Sequence, residues 1–269
     1  MLKDITLGQY FPGNSVVHRL DPRTKLIMLI LYIVALFCAV SWISYAVMLI
    51  FLAVVIKIST IPLKALVRGM KPLILILVFT GVLNLFFTVG ERDPVVDFWI
   101  FTIYTEGIVR AAFMVIRILM LISGTFLLTY TTSPISLTDG LESLLNPLKV
   151  LRLPVHELSM MMCIALRFIP TLIEETDKIM SAQKARGADF ETGSLLQRVK
   201  ALVPILVPLF ISAFRRAEEL ATAMECRCYH GGNGRTKMRL LRFKRRDFLT
   251  FFVGIVLLGA VIALDHFGL

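Results

Sequence analysis

Two short stretches carry the residues best placed to make a specific charged contact. They are Ala185-Arg186-Gly187, within residues 181–190, and Cys226-Arg227-Cys228, within residues 221–229. Each sets one arginine among small residues at the end of a long helical pattern. The guanidinium is a planar, permanently charged fork that pairs bidentately with carboxylates, and small neighbours let another backbone approach. An arginine at a helix C-terminus also opposes the negative end of the helix dipole, so charge placement alone would account for either copy. Two copies in the polar-rich part of an otherwise apolar chain point instead to docking.

Other chemistry is thinly represented. Cys226-x-Cys228-x-His230 matches no common zinc spacing, and no metal is expected there. The histidines His18, His156, His230 and His266 are scattered, so no catalytic constellation forms at membrane depth. A phosphate loop of the form G-x-x-x-x-G-K-[ST] is absent, which argues against nucleotide binding by this chain. No Asp or Glu falls inside a predicted span, which argues against an ion-coupled transporter. Arg110 and Arg117 share one face of a predicted span. Arg110 can snorkel, and the deeper Arg117 is expected to have a structural partner.

The elements that must position the arginines follow from composition. The chain has 269 residues, 57% of them hydrophobic, and a formal net charge of +10, with a mean hydropathy of +0.79. That is an integral membrane protein. The basic excess reads as positive-inside topology and attraction to anionic lipid, with no nucleic-acid motif beside it. Cys38, Cys163, Cys226 and Cys228 form no secreted disulfide framework, and no cleavable signal is expected over residues 1–14.

From the N-terminus, the basic collar His18 to Lys25 leads into an apolar run over 26–40, with Asp21-Pro22 suited to a helix start. The run breaks at Ser41-Trp42-Ile43-Ser44 and resumes to Ile58, giving two short helices with a tryptophan at the interface. Lys57, followed by Lys64, Arg68 and Lys71 between Pro62 and Pro72, marks a second basic loop. Further spans are predicted over 72–89 and 107–130, with the loop bearing Glu91, Arg92, Asp93, Asp97 and Glu106 on the opposite side. Over 131–246 charges return. Ser136-Leu137-Thr138-Asp139 reads as a capping box opening a short helix that ends near Pro147. A second helix runs from Pro154 to Arg186 and stops at Gly187. A third runs from Ser194 or Leu195 to about Arg227 and is ended by Gly231, Gly232 and Gly234. Their charges (Arg167, Glu174, Glu175, Asp177) and prolines (Pro204, Pro208) predict helices lying along the membrane rather than across it. The cluster Arg235, Lys237, Arg239, Arg242, Lys244, Arg245 and Arg246 precedes a last span over 248–264. The expected fold is all-α, with about five transmembrane helices and a module of three coupling helices. Its divisions are 1–130, 131–246 and 247–269, with the N-terminus cytoplasmic.

Several motifs together resemble one family, the transmembrane T component of energy-coupling factor (ECF) transporters. They are Leu20-Asp21-Pro22-Arg23-Thr24-Lys25, Thr132-Ser133-Pro134, Leu166-Arg167-Phe168-Ile169-Pro170, Ala185-Arg186-Gly187 and the second arginine motif at Arg227. The resemblance implies a non-enzymatic scaffold in a prokaryotic cell membrane. It would hold two ATP-binding cassette ATPases through coupling helices, and a small substrate-binding membrane subunit through its outer surface. By position, Arg186 and Arg227 would anchor one helix end on each ATPase, with Ala185 and Gly187, and Cys226 and Cys228, as their small neighbours. The family pattern is Ala-Arg-Gly twice, and Cys228 departs from it where a glycine is expected. Met160, Met161 and Met162, with Arg167 and Phe168, would form a sliding partner surface or simply fill a core. No cofactor is expected in this chain, because ATP would be bound by the partners. Uptake of a vitamin or other micronutrient is implied, with cargo chosen by the separate subunit. The alternative in another class is a self-contained permease or channel, which needs polar groups converging inside the spans.

Overall fold

In the computed structural model the described residues are 10–87, 96–98, 101–151, 154–190, 194–231 and 240–267. They form an all-α membrane protein with one short antiparallel strand pair, β1 (Val96–Phe98) and β2 (Phe101–Ile103), in which Asp97 faces Thr102. The helices are α1 (Pro22–Cys38), α2 (Trp42–Ser59), α3 (Leu63–Met70), α4 (Ile74–Phe87), α5 (Thr105–Thr131), α6 (Pro134–Leu145), α7 (Val155–Ala185), α8 (Leu195–Cys226) and α9 (Arg245–His266). Glu91, Arg92, Asp93, Gly232, Gly234, Arg235, Lys237 and Arg239 lie outside the described residues.

Helix boundaries follow local chemistry. The Asp21 side chain caps α1 by accepting from the Arg23 N–H at 3.0 Å, with Pro22 in the first turn where no N–H is needed. Ala39 is extended and ends α1 after 17 residues, and Ser41 caps α2. The region between Pro62 and Pro72 is the helix α3 rather than a loop. Its bracketing prolines permit this because Pro62 precedes the helix and Pro72 falls in the 3-10 turn Lys71–Leu73 that follows. The short helix α6 also starts earlier than the Ser136 capping box predicts. Ser133 Oγ accepts from the Ser136 N–H at 3.3 Å, so the cap lies one turn upstream.

Five helical segments are long and apolar enough to cross a membrane: Trp42–Ser59, Leu63–Phe86, Thr105–Thr131, Val155–Ala185 and Arg245–His266. The number agrees with the sequence expectation, but the membership differs. The helix α1, with 17 residues, is one residue shorter than α2 and is not among them. By contrast α7 qualifies because Glu157 and Arg167 are the sole Asp, Glu, Lys or Arg among its first 18 residues.

The chain divides into two compact units. In the first, residues 8–140 and 241–269, α1 packs against α5 and α9, α4 lies along α5, and α2 meets both α5 and α9. Its core holds Tyr32, Leu36, Met48, Leu52, Leu127, Tyr130 and Val261. Glycine makes the closest approaches possible: a Cβ at Gly124 would overlap the Tyr32 ring, and one at Gly254 would overlap Met28. In the second unit, residues 141–240, the principal feature is the pair α7 and α8.

Candidate docking site

The two arginine-tipped helix ends close in the same way. After α7, the Gly187 N–H donates to Lys184 O at 3.0 Å and the Ala188 N–H reaches back to Gln183 O at 3.0 Å. After α8, the Cys228 N–H donates to Glu225 O at 2.8 Å and the Tyr229 N–H reaches Met224 O at 3.0 Å. Both are Schellman-type closures, which require a left-handed residue just past the helix. Gly187 supplies it at φ 87° and Cys228 at φ 55°. Cys228 therefore does the work expected of a glycine, and α8 ends there rather than at the later glycines. Arg186 and Arg227 take matching cap conformations, φ −87°, ψ 7° and φ −93°, ψ 14°. Both arginines are exposed, as are Ala185, Gly187, Cys226 and Cys228. Among the described residues no ion pair engages either guanidinium.

The helices carrying them run antiparallel. Gln183 of α7 donates to Pro204 O of α8 at 3.4 Å, a weak bond to a carbonyl left without its helical donor by Pro208. Nearer the middle, Glu175 accepts from Ser212 Oγ and, at 2.8 Å, from Arg216 Nη2. Further along, Met160 and Ile164 share a cavity of about 480 Å³ with Leu220, Met224 and Arg227. Arg186 thus lies toward one end of the pair and Arg227 at the other. Counting the roughly 26 residues of α8 between the level of Arg186 and Arg227, their separation along the pair is on the order of 40 Å.

Of the other residues singled out in the sequence, Met160 lines that cavity, Met161 and Met162 are exposed at 54% and 44%, Arg167 is exposed and Phe168 half-buried. Sequence reasoning missed the Glu175 clamp and the contacts of Glu142, which meets His156 Nδ1 and the Ser159 hydroxyl at 3.2 Å each. No stretch of sequence marks partners so far apart in the chain.

The Leu20–Lys25 motif has a positional explanation in the first unit. Lys25 Nζ donates to Thr131 O at 2.8 Å, Thr132 Oγ1 at 3.1 Å and His18 O at 3.4 Å, joining the start of α1 to the end of α5. The Asp21 N–H donates to Asp247 Oδ1 at 2.9 Å and the Lys244 N–H to Asp247 Oδ2 at 2.7 Å, joining α1 to α9. At the far end of α9, Asp265 accepts from the Ser41 N–H at 3.0 Å and the Ser41 and Ser44 hydroxyls at 2.7 and 2.8 Å. Arg117 has its structural partners: Nε donates to Tyr45 Oη at 2.7 Å and Nη2 to Ala39 O at 3.1 Å, with the Phe37 and Tyr45 rings beneath the guanidinium.

Fold and site together define a multi-pass, all-helical membrane protein that presents two matched arginine-capped helix ends. A family model described as "CbiQ: Cobalt transport protein" matches residues 13–238. The Clostridium kluyveri "Energy-coupling factor transporter transmembrane protein EcfT" is 53% identical over 257 residues, 96% of this chain and 95% of that protein. The proteins of the same name from Ruminiclostridium cellulolyticum and Bacillus subtilis are 50% identical over 267 and 262 residues, covering 99% and 97% of this chain and 99% and 98% of their own lengths. The chain belongs to this CbiQ/EcfT family of energy-coupling factor transmembrane proteins.

Proposed function

We propose that the chain is the scaffold that couples two ATP-binding cassette ATPases to a small substrate-binding membrane subunit. Arg186 docks one ATPase and Arg227 the other, each through a carboxylate-lined groove that accepts an exposed helix end. The carrying observation is the pair of congruent, exposed arginine caps set far apart on one clamped antiparallel pair. A separation on the order of 40 Å suits two separate partners better than one. ATP-driven approach of the ATPases moves the two helix ends relative to each other, and the pair passes that motion to the substrate-binding subunit, with Met161 and Met162 as the adaptable contact. Docking at both ends requires residues 131–246 on the ATPase side, with α7 and α8 lying along the membrane even though α7 is long and apolar enough to cross it, and this sets the N-terminus in the cytoplasm.

The chain itself catalyses nothing and holds no cofactor. ATP is bound and hydrolysed by the partners, and the membrane subunit selects the vitamin or other micronutrient. The scaffold role is supported over a permease by the pairing of polar groups within the spans: Arg117 is engaged by Tyr45 and Ala39, and Asn84 Nδ2 donates to Thr80 O at 3.0 Å within its own helix. The test is co-purification of the tagged chain from its native membranes. Two cassette ATPases and a small hydrophobic protein should accompany it, and Arg186→Glu with Arg227→Glu should remove the ATPases. A chain that purifies alone and moves solute in liposomes would refute the proposal.

A further inference from the structure

An apolar groove of about 340 Å³ opens within the first unit between the segment before α1 and helices α1, α2, α5 and α9. Tyr32, Phe51 and Gly124 line its deep part. Toward the other end it reaches Ile58 at the end of α2, Thr131 at the end of α5 and Leu249 near the start of α9. The rim faces outward, with Val54 49%, Ile58 45%, Leu249 68% and Val253 42% exposed. The lining is almost wholly hydrocarbon, which suits a flexible acyl chain.

Charge at the shallow end is one-sided. Arg19 adjoins the lining residue Leu20, Lys57 adjoins Ile58, and Arg246 precedes Leu249 by one turn; all three are exposed. The acidic groups at that end of the lining elements, Asp21 and Asp247, are buried and bonded to backbone N–H groups. Lys25 also lines the groove, but its three donors are committed to Thr131, Thr132 and His18. The ligand charge must then be met by the rim cations.

We propose that this groove holds one acyl chain of an anionic membrane phospholipid, with the headgroup against Lys57, Arg246 and Arg19. Neighbouring lipid is as apolar as the groove, so selectivity comes from the headgroup. Each basic residue near the surface favours an anionic lipid on the order of fivefold.

The full chain in nanodiscs of equal phosphatidylglycerol and phosphatidylcholine, transferred to detergent and weighed intact with its retained lipids, provides the test. The expected result is one retained phosphatidylglycerol in preference to phosphatidylcholine. That preference should fall on the order of fivefold for each of Lys57→Gln and Arg246→Gln. Filling the rim with Val54→Trp and Val253→Trp should abolish retention while helicity is unchanged. Equal retention of both lipids, or retention indifferent to the tryptophans, would overturn the proposal. So would a photo-reactive side chain at position 253 that captures a protein rather than lipid in native membranes.

Discussion

Cys228 occupies a backbone conformation that suits glycine, and it does so with φ 55° beside an arginine whose twin is followed by Gly187 at φ 87°. A side chain in this region costs about 1 kcal/mol or slightly more. Cys228→Gly should therefore stabilise the end of α8 by about 1 kcal/mol and leave docking intact, seen as slower amide exchange at Tyr229. Gly187→Ala should weaken the α7 end by a similar amount through strain alone, since no neighbour lies within 4 Å of the added Cβ. Lys25 carries a different burden. It is 8% exposed and bonded at all three donors, so Lys25→Met should cost about 3 kcal/mol, measured as a lower unfolding midpoint in detergent.

At the scale of elements, Glu175 fastens the middle of α7 to α8 through Ser212 and Arg216. Glu175→Ala should cost about 1–2 kcal/mol at this junction. Spin labels near the two arginine ends should then show a broader distance distribution, with ATPase recruitment retained and transport lost. A distribution as narrow as the parent's would show that packing alone holds the pair. The ends of these helices were legible in the sequence because Gly187 and the arginine motifs are local signals. The α8 stop was legible only in place, since nothing about cysteine announces a left-handed residue. Two prolines and three basic residues in eleven look like a loop in the sequence, where the structure has the helix α3. The sequence also could not show that Asp21 meets Asp247, or that Ser41 meets Asp265, because each pairing joins residues more than 200 positions apart. Periodicity reports which face of a helix is apolar, not which helix covers it.

For the whole molecule, the two units divide the labour by composition. In residues 8–140 and 241–269 the polar groups of the spans are spent on one another, as at Arg117 with Tyr45 and Ala39. In residues 141–240 the cations at the two helix ends are exposed. Arg117→Met should accordingly lower stability by about 1–3 kcal/mol without changing which cargo is taken up, read from uptake per folded molecule. The central claim is that each arginine end meets its own ATPase. It is tested most directly by placing a photo-reactive side chain at Ala185 or at Cys226 and irradiating native membranes. The account predicts a cross-link to a cassette ATPase from each position, through equivalent grooves on two ATPase subunits, and loss of both when Arg186 and Arg227 are changed to Glu. Cross-links to lipid alone, or an ATPase captured equally well by the charge-reversed chain, would contradict it.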